Sequence, residues 1–226
     1  MTKRRISIVM PTLNEARGIT ATLTPLQALR HAGHEIIVVD GGSTDDTMAQ
    51  AAPLADHLLI APSGRARQMN AGAAAAAGDV LLFLHADTML PLDAATHIIA
   101  VRNHLWGRFD VRLTGAHPLL RIVESMMNMR SRLTGIATGD QALFVERALF
   151  LAVGGFPEQP LMEDIALSRQ LRRHGRPLCL RAKVTTSSRR WEQNGVVSTI
   201  LLMWRLRLAY FLGADPARLA RLYHRP

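Results

Sequence analysis

In this 226-residue chain, acidic residues follow within three positions of the end of two apolar segments. Asp40 comes after the apolar run that ends at Val39, and Asp87 comes after the run that ends at Leu84. Oxygen ligands are the ones that Mg²⁺ and Mn²⁺ prefer, and such a cation binds through a few carboxylates together with substrate phosphates. The sequence therefore predicts a site at which a divalent metal binds together with a diphosphate.

The chain is strongly basic, with a formal net charge of +9. A basic surface attracts the phosphates of a nucleic acid, an anionic lipid or a diphosphate substrate. Aromatic residues, which stack on nucleobases in many nucleic-acid-binding proteins, make up only 5% of the chain, and it contains no nucleic-acid recognition motif. We therefore expect no nucleic-acid partner, and we expect part of the basic residues to form a solvated face. The excess of arginine lies late in the chain, at Arg169, Arg172, Arg173, Arg176, Arg181, Arg189, Arg190, Arg205, Arg207, Arg218, Arg221 and Arg225.

The first half of the chain alternates apolar, strand-like segments with helix-like segments. The predicted strands are Ile6–Met10, Glu35–Val39, His57–Ile60 and Val80–Leu84. The predicted helices are Arg17–His31, Thr44–Ala52 and Arg67–Ala77. Continuous apolar strands separated by helices are typical of a parallel sheet with both faces covered. Ligands of such sheets bind beyond the carboxyl ends of the strands, where Asp40, His85 and Asp87 are expected.

The second half is less regular, and no linker separates it from the first. The chain shows no internal repeat. Its predicted elements are a strand at Trp106–Leu113, a helix at Pro118–Thr134, a strand at Gln141–Val145, a helix at Glu163–His174 and an apolar tail at Val196–Phe211. Methionines on the helix at 118–134 are more typical of a core than of a surface that contacts lipid or acceptor. The length fits one α/β domain.

The tail is apolar, and Arg205 and Arg207 lie near its end. This pattern fits a helix packed on the domain or an amphipathic helix at a membrane interface. No segment has the ~18 uninterrupted apolar residues of a membrane span, and the chain has one cysteine, Cys179, which suits a reducing compartment. We therefore expect a cytoplasmic protein that lies, in the membrane-bound alternative, at the inner face of the plasma membrane.

Three motifs of other nucleotide-binding and hydrolytic enzymes are missing from the sequence. These are GxGxxG after the first strand, GxxxxGK[ST], and GxSxG. Their absence disfavours dehydrogenases, P-loop proteins and α/β-hydrolases.

An ordered series of short motifs between Ile6 and Trp191 resembles family 2 glycosyltransferases with the GT-A fold. The series runs Val9-Met10-Pro11-Thr12-Leu13-Asn14-Glu15, Val38-Val39-Asp40-Gly41-Gly42-Ser43-Thr44-Asp45-Asp46-Thr47, Gly64-Arg65-Ala66-Arg67-Gln68-Met69-Asn70-Ala71-Gly72, Leu84-His85-Ala86-Asp87-Thr88, Gly139-Asp140-Gln141, Glu163-Asp164 and Arg189-Arg190-Trp191. Each motif alone is weakly specific, and the order of the series makes it informative. The resemblance implies a donor-binding half at 1–115, an acceptor and catalytic half at 116–195 and a helical tail at 196–226.

The resemblance also implies roles for individual residues. Asp40 would accept a hydrogen bond from the nucleobase, which favours uracil and hence a UDP-sugar. Asp87 would hold Mg²⁺ or Mn²⁺, and Asp164 would be the general base that takes the proton of an acceptor hydroxyl in an inverting transfer. The acceptor would be a lipid-linked compound or a small molecule that carries a hydroxyl group. The other residues implied in nucleotide-sugar binding are Pro11, Thr12, Glu15, Arg65, Asn70, His85, Ala86, Gln141, Glu163, Arg189, Arg190 and Trp191.

The sequence departs from the family pattern at two places. His85 replaces the first acid of the DxD metal motif, so His85 is either a second metal ligand or a hydrogen-bonding neighbour of the site. The motif Ser188-Arg189-Arg190-Trp191 lacks the glutamine and the spacing of the processive polysaccharide synthases. Processive polymer synthesis is therefore not expected.

Structural roles compete with these functional ones. Asp40 fits a turn that precedes a helix, and Glu163 and Asp164 fit the first turn of a helix. A nucleotidyltransferase would also need metal and acidic residues, although its glycine-rich loop is absent after the first strand. The remaining alternative is a catalytically reduced scaffold, either nucleotide-sugar-binding or membrane-associated, and the presence of both Asp87 and Asp164 argues against it.

Overall fold

The computed structural model describes residues 4–100 and 104–223. The strands are β1 (Ile6–Thr12), β2 (Glu35–Asp40), β3 (His57–Ile60), β4 (Val80–Phe83), β5 (Thr88–Met89), β6 (Trp106–Leu113), β7 (Phe144–Glu146) and β8 (Leu178–Thr186). The helices are α1 (Ile19–His31), α2 (Thr47–Ala51), α3 (Arg65–Ala75), α4 (Ala94–Ala100), α5 (Pro118–Thr134), α6 (Arg147–Ala152), α7 (Glu163–Leu171), α8 (Arg189–Asn194), α9 (Val196–Phe211) and α10 (Pro216–Tyr223).

One eight-stranded sheet includes strands from both halves of the chain, in the order β3-β2-β1-β4-β7-β6-β8-β5. β1, β2, β3 and β4 are the four strands predicted in the first half, and they are parallel, as predicted from their continuous apolar sequences. β7 is antiparallel to both β4 and β6, whereas β6 and β8 are parallel. The expected α/β fold with a mostly parallel sheet between helices is confirmed.

Alternating side chains of the strands point into two hydrophobic cores on opposite faces of the sheet. In β1, Ile6, Ile8 and Met10 belong to the core that α1 and α4 cover, and Val9 belongs to the core that α3, α6 and α7 cover. Each buried side chain of this size contributes roughly 1.5–3 kcal/mol. The two cores fix the carboxyl ends of β1, β2 and β4 at one edge of the sheet.

The second half of the sheet is braced by a buried charged group. Arg108 in β6 is fully buried, and its guanidinium donates to Asp110, to the Ser131 hydroxyl at 3.0 Å and to the carbonyl of Asn128 at 3.0 Å. Arg132 donates to both carboxylate oxygens of Asp110, at 2.7 and 2.8 Å. These bonds join α5 to β6.

Several segments differ from the sequence-based prediction, which did not include β5, α4, α6, α8 or α10. The strand predicted at Gln141–Val145 begins later, because Thr138 and Gln141 form a capping box around a short 3-10 turn at Gly139–Gln141 and Ala142 takes a left-handed conformation. β8 was not predicted, since its partly exposed residues do not form a continuous apolar run.

The apolar tail forms α9, and one side of this helix packs on the domain. Leu206 of α9 joins Leu161, Met162 and Ile165 near the start of α7, together with Leu219 of α10. The predicted tail at 196–226 is described as far as Tyr223, and residues 224–226, including Arg225, lie outside the described residues.

Within residues 4–100 and 104–223, no helix is both long enough and apolar enough to cross a bilayer.

We predict that Gly72→Ala destabilises the chain, because α3 lies against β1 and β2 at this glycine. A methyl group at Gly72 would lie 2.4 Å from Cγ1 of Val9 and 3.0 Å from Cγ2 of Val39. Alanine gains ~1 kcal/mol in helix propensity over glycine, but forcing a methyl group into a packed core costs roughly 1–3 kcal/mol. Chemical denaturation should therefore show a lower unfolding free energy.

Gly18→Ala is the matched control, since no atom lies within 4 Å of its added methyl group. Gly18 is the N-cap of α1, where alanine is less favourable than glycine, so this change should cost no more than ~1 kcal/mol and less than Gly72→Ala. Equal stability of the Gly72→Ala variant and the wild type would contradict the packing described for α3.

Candidate active site

A cleft opens where the carboxyl end of β4, the turn at 139–141 and the start of α7 meet. Six ionisable groups and a tyrosine border it, together with apolar side chains at the start of α7 and on α9. The lining residues are Arg65, His85, Thr138, Gly139, Asp140, Leu161, Met162, Glu163, Asp164, Ile165, Met203, Arg207 and Tyr223.

Asp164 lies in the first turn of α7, and two backbone donors orient its carboxylate. The amide of Gly139 donates to Oδ2 at 2.9 Å, and the amide of Ile165 donates to Oδ1 at 2.7 Å. Burial raises the pKa of Asp164, and the nearby charge of Asp140 raises it further, although both amides and Arg65 oppose the change. A carboxylate accepts up to about four hydrogen bonds, so Asp164 is held in place with capacity left to accept a proton.

Glu163 precedes Asp164 and is 6% exposed. Burial raises the pKa of Glu163, and the adjacent Asp164 carboxylate raises it further, while Arg65 lowers it in part. Two carboxylates this close do not ionise independently, so they titrate as a pair.

Asp140 and His85 approach one another across the cleft. The distance from His85 Nδ1 to Asp140 Oδ1 is 3.5 Å. Burial alone would raise the pKa of Asp140, but the hydrogen bond from His85 and the charges of His85, Arg65 and Arg130 hold it below its usual value. The His85 ring lies against Gly139, where an added methyl group would be 2.4 Å from the ring. Glycine at 139 therefore allows the close approach of the turn to β4.

Arg65 is the first residue of α3 and the cation shared by the acidic residues of the cleft. Burial alone would lower its pKa, yet the negative charges of Glu163, Asp140 and Asp164 raise it. A cation at the start of a helix is opposed by the helix dipole. Its position is thus explained by the surrounding carboxylates.

A second group of charges lies beside the first. The distance from Arg189 Nη2 to Glu15 Oε1 is 3.9 Å. Burial raises the pKa of Glu15; Asp87 and Asp45 raise it further, and Arg189 and Arg65 oppose them. Glu15, Asp87, Arg189 and Arg65 are therefore brought together, as the ordered motifs implied.

Asp40 organises the loop that follows β2. Its Oδ2 accepts from the amides of Gly42 and Ser43 at 2.8 and 2.7 Å, and its Oδ1 accepts from the hydroxyls of Ser43 and Thr12 at 2.5 and 3.2 Å. Burial would raise the pKa of Asp40, but these bonds hold it below its usual value. Asp40 is 1% exposed, so the turn-forming role is the one seen, and its contact with a nucleobase stays a prediction.

Among residues 4–100 and 104–223, three residues other than glycine have positive φ angles, and each lies at the edge of this region. They are Asn14 (φ 55°) after β1, Ala142 (φ 46°) after the turn at 139–141, and Met162 (φ 66°) before Glu163. Such conformations cost roughly 1–3 kcal/mol each and cluster at functional sites. Their positions agree with a site at this edge of the sheet.

The sequence of this region matches a known family. Residues 7–101 match the model of glycosyl transferase family 2. The chain belongs to glycosyltransferase family 2. An uncharacterized glycosyltransferase of Mycobacterium tuberculosis is 30% identical over 164 residues, which cover 67% of this chain and 62% of the relative. The chain thus spans about three fifths of the length of that curated relative.

Other family members and solved structures agree with this assignment. A PGL/p-HBAD biosynthesis glycosyltransferase of Mycobacterium tuberculosis is 41% identical over 91 residues, covering 37% of this chain and 36% of the relative. The crystal structure of TarS from S. aureus superposes with a TM-score of 0.64 at 20% identity, covering 81% of this chain and 60% of that chain. Glucosyl-3-phosphoglycerate synthase from Mycobacterium tuberculosis gives 0.60 at 20% identity, covering 81% and 70%. These likenesses concern the fold, and they match the expected GT-A type.

Several residues implied by the family motifs lie outside the cleft and hold the backbone. The Asn70 amide exchanges two hydrogen bonds with the backbone of Phe156, at 2.8 and 2.9 Å. Gln141 is fully buried and caps the turn at Thr138. Trp191 packs with Leu113 and Val196. Their roles in nucleotide-sugar binding stay predictions.

The remaining motif residues lie near β1, β4 and the tail. The Thr12 hydroxyl bonds to Asp40, and Pro11 is partly buried in β1. Ala86 is buried, and its carbonyl accepts from the Thr22 hydroxyl at 2.6 Å. Arg190 lies over the Tyr223 ring at 3.4 Å from its centroid and donates to the Tyr223 carbonyl at 2.6 Å. Arg190 therefore fastens α10 beside the cleft.

The structure adds residues that the sequence motifs did not single out. Arg130 of α5 lies near Asp164 and Asp140, and burial lowers its pKa while both acids oppose the change. Its Nε and Nη2 atoms are buried without a hydrogen-bond partner among the described residues. On an amphipathic helix, an arginine is usually a solvated residue, so no sequence signal separated Arg130 from its neighbours. Met203, Arg207 and Tyr223 of the tail also line the cleft.

We predict that Glu163→Gln stabilises the chain at neutral pH. The pKa of Glu163 is raised on folding, so its contribution to stability is fully present below the ordinary pKa of about 4.3 and is lost as pH rises through the folded value. A neutral amide removes that loss. Thermal unfolding near neutral pH should show a gain of roughly 2–4 °C, the shift that ~1 kcal/mol produces in a chain of this length.

The gain should shrink as pH falls toward the ordinary pKa of a glutamate. Glu158→Gln is the control, because Glu158 is exposed and its ion pair with Arg67 spans 3.2 Å at the surface, where such pairs contribute little. A lower unfolding temperature for Glu163→Gln at neutral pH would contradict the electrostatics described here.

Proposed function

We propose that this chain transfers a sugar from a nucleotide-sugar donor, favoured to be a UDP-sugar, to an acceptor hydroxyl with inversion at the anomeric carbon. The observation that supports this most is the oriented, partly buried carboxylate of Asp164, which shares one cleft with Arg65 and lies next to the group formed by Glu15, Asp87 and Arg189. A base and a set of phosphate-binding charges are what this reaction requires.

In the proposed reaction, Asp164 takes the proton of the acceptor hydroxyl while that oxygen attacks the anomeric carbon. The new glycosidic bond forms as the bond from the anomeric carbon to the diphosphate breaks. The nucleoside diphosphate leaves with the electron pair of that bond. The raised pKa of Asp164 makes it a stronger base than an ordinary aspartate, and a positioned base contributes roughly 10²–10⁴-fold.

The arginines near the cleft would bind the diphosphate of the donor. Arg65 and Arg189 lie where they can bind the diphosphate oxygens, and arginine matches phosphate geometry through paired donors. The acids already present would repel the donor, and these arginines would offset that repulsion. Arg130 would add a third cation on the side of α5.

The donor set at the end of β4 fits a divalent cation. The Asp87 carboxylate accepts one long bond, 3.4 Å, from the Thr88 hydroxyl, which leaves its oxygens available. The described residues contain no group of three His, Cys, Asp or Glu side chains suited to a metal, and Mg²⁺ usually binds through one or two carboxylates, water and phosphate oxygens. Asp87, with His85 as its neighbour, would hold Mg²⁺ or Mn²⁺, which neutralises the charge of the leaving diphosphate when bound.

The relatives support the same donor and metal. The glucosyl-3-phosphoglycerate synthase structures contain UDP with Mg²⁺ or Mn²⁺, and a structure of TarS contains UDP-GlcNAc. We propose a cytoplasmic protein in which 1–115 binds the donor and 116–195 binds the acceptor. Membrane contact through the tail is also a proposal, and α9 has an exposed side on which it depends.

We predict metal-dependent binding of UDP. Calorimetric titration with UDP should show binding in the presence of Mn²⁺ that weakens when the metal is removed by a chelator, and GDP should bind more weakly. Asp87→Asn should weaken the metal-dependent binding roughly 10–100-fold, the effect of losing a support of a metal site.

Asp93→Asn serves as the control, since Asp93 is exposed and pairs with His97 at 2.9 Å. It should bind UDP as the wild type does. Failure of the wild type to bind either nucleotide in the presence of Mn²⁺ would contradict the donor site. Nucleotide binding without turnover of any UDP-sugar would favour the scaffold alternative.

We predict that the acid limb of the pH–rate profile lies above the range of an ordinary aspartate. Asp164 acts only when deprotonated, and burial raises its pKa, so the rate falls as pH drops through the raised value. Asp140→Asn removes a neighbouring negative charge and should move the limb to lower pH. The measurement is kcat/KM for UDP-sugar hydrolysis or transfer across pH.

Asp164→Asn should keep the affinity for UDP and lose turnover by roughly 10²–10⁴-fold. Full activity of this variant would exclude Asp164 as the base. NMR of the product should show the anomeric configuration opposite to that of the donor.

A further inference from the structure

Two helices carry stripes of exposed apolar side chains on their outer sides. The members of each stripe are spaced by three and four residues, so they line one side of a helix. We define the α5–α9 apolar surface by these residues: Ile122, Met126, Met129 and Leu133 of α5, Val197, Leu201, Trp204, Leu208 and Phe211 of α9, and Leu212 directly after α9.

The stripes lie on neighbouring helices and point away from the core. α5 contacts α9 through Val123 and Met127, which pack in one cluster with Val196 and Ile200. Leu206 and Met203, on the inner side of α9, pack against the start of α7 or line the cleft. The residues of the α5–α9 apolar surface take part in neither of these contacts.

This surface concentrates most of the exposed apolar side chains of the described residues. Of sixteen large apolar residues that are exposed there, ten belong to it, including Leu133 at 71%, Trp204 at 56% and Phe211 at 72%. The other six are scattered over β1, β3, β5, α6 and loops. Scattered apolar residues are common on soluble proteins, whereas a continuous cluster marks a contact with a partner or a membrane.

Charge distinguishes between these partners. α9 contains no acidic residue, and the single acid of α5, Glu124, is buried. Exposed arginines lie beside the stripes, with Arg205 next to Trp204 in α9 and Arg218 and Arg221 on α10. A second copy of the chain would bring another arginine-bearing stripe without acids to pair with it. An anionic bilayer surface complements both the apolar residues and the arginines.

We propose that the α5–α9 apolar surface docks on an anionic lipid bilayer, with α9 lying in the plane of the interface. Trp204 and the leucines enter the headgroup region, and Arg205 pairs with lipid phosphates. Because α9 lines the cleft with Met203 and Arg207 on its other side, docking places the cleft beside the lipid headgroups. Docking does not depend on the proposed reaction.

Co-sedimentation with lipid vesicles tests the proposal on the full chain without nucleotide. The wild type should bind vesicles of phosphatidylcholine and phosphatidylglycerol and bind pure phosphatidylcholine vesicles more weakly, with added salt weakening the former. Leu201→Glu with Leu208→Glu should lower the partition coefficient roughly tenfold or more, because the bilayer then no longer buries two leucine side chains. Tryptophan fluorescence of the wild type should shift to the blue on binding, and Trp204→Phe, which keeps Trp106 and Trp191, should lose that shift.

Leu92→Glu with Leu151→Glu is the matched control, since both leucines are exposed, at 93% and 50%, and lie outside the surface. This pair adds the same charge and should leave vesicle binding unchanged. Absence of wild-type binding and of a fluorescence shift overturns the proposal, as does equal loss in the control pair. A dimer in light scattering that dissociates in the Leu201→Glu, Leu208→Glu variant, without vesicle binding, assigns the surface to a second copy.

UDP calorimetry on the same variants separates this proposal from the proposed function. Both double variants should bind UDP as the wild type does, which also shows that they are folded. Loss of vesicle binding with intact UDP binding supports a docking surface apart from the donor site. A wild type that binds vesicles and not UDP would contradict the proposed function and leave the docking surface standing.

Discussion

The placement of three carboxylates in one partly dehydrated cleft is the constraint on which the rest of the site depends. Asp140, Glu163 and Asp164 repel one another, and burial weakens the hydration that would otherwise stabilise them. Arg65 is the cation common to all three, and His85 offsets Asp140 in particular. Arg65 is exposed to solvent and Asp164 is partly buried, so water screens the attraction between them in part and Arg65 stays accessible to a phosphate group. The arrangement would place both a basic carboxylate and anion-binding arginines within one cleft.

The topology explains how residues distant in sequence meet this constraint. β7 pairs antiparallel with β4, which brings the turn at 139–141 alongside His85. The amide of Gly139 then donates to Asp164, so a single hydrogen bond joins that turn to the start of α7. Arg65 approaches from the opposite side because α3 packs closely on β1 and β2 at Gly72. Displacing any of these elements would separate a charge from its partner, so core packing and site electrostatics are coupled.

Much of the first half was predictable because β1, β2 and β4 are buried on both faces and therefore have continuous apolar sequences. β5, with two residues, and the partly exposed β8 lack that signal. The structure brings Glu15, Arg65, Asp87 and Arg189 close to one another, but motif membership does not distinguish a ligand contact from a backbone support. Asn70 and Gln141 bond to Phe156 and Thr138, respectively, and Asp40 organises its own loop. Arg130 was not predicted, because the burial of its Nε and Nη2 atoms without a hydrogen-bond partner among the described residues arises from tertiary structure alone.

The tail shows why two sequence-based interpretations of one segment need not exclude each other. α9 was expected either to pack on the domain or to lie at a membrane, and its inner side does pack, through Leu206 and Met203. That packing uses only part of the apolar circumference of the helix, so Trp204 and Leu208 remain exposed. Arg190 then holds α10 through Tyr223 beside the cleft. The tail thus reduces the access of water to the carboxylates on one side and presents an apolar stripe on the other. A partner or membrane that covers that stripe would therefore contact the same helix that lines the cleft, because Met203 and Arg207 of α9 border the cleft.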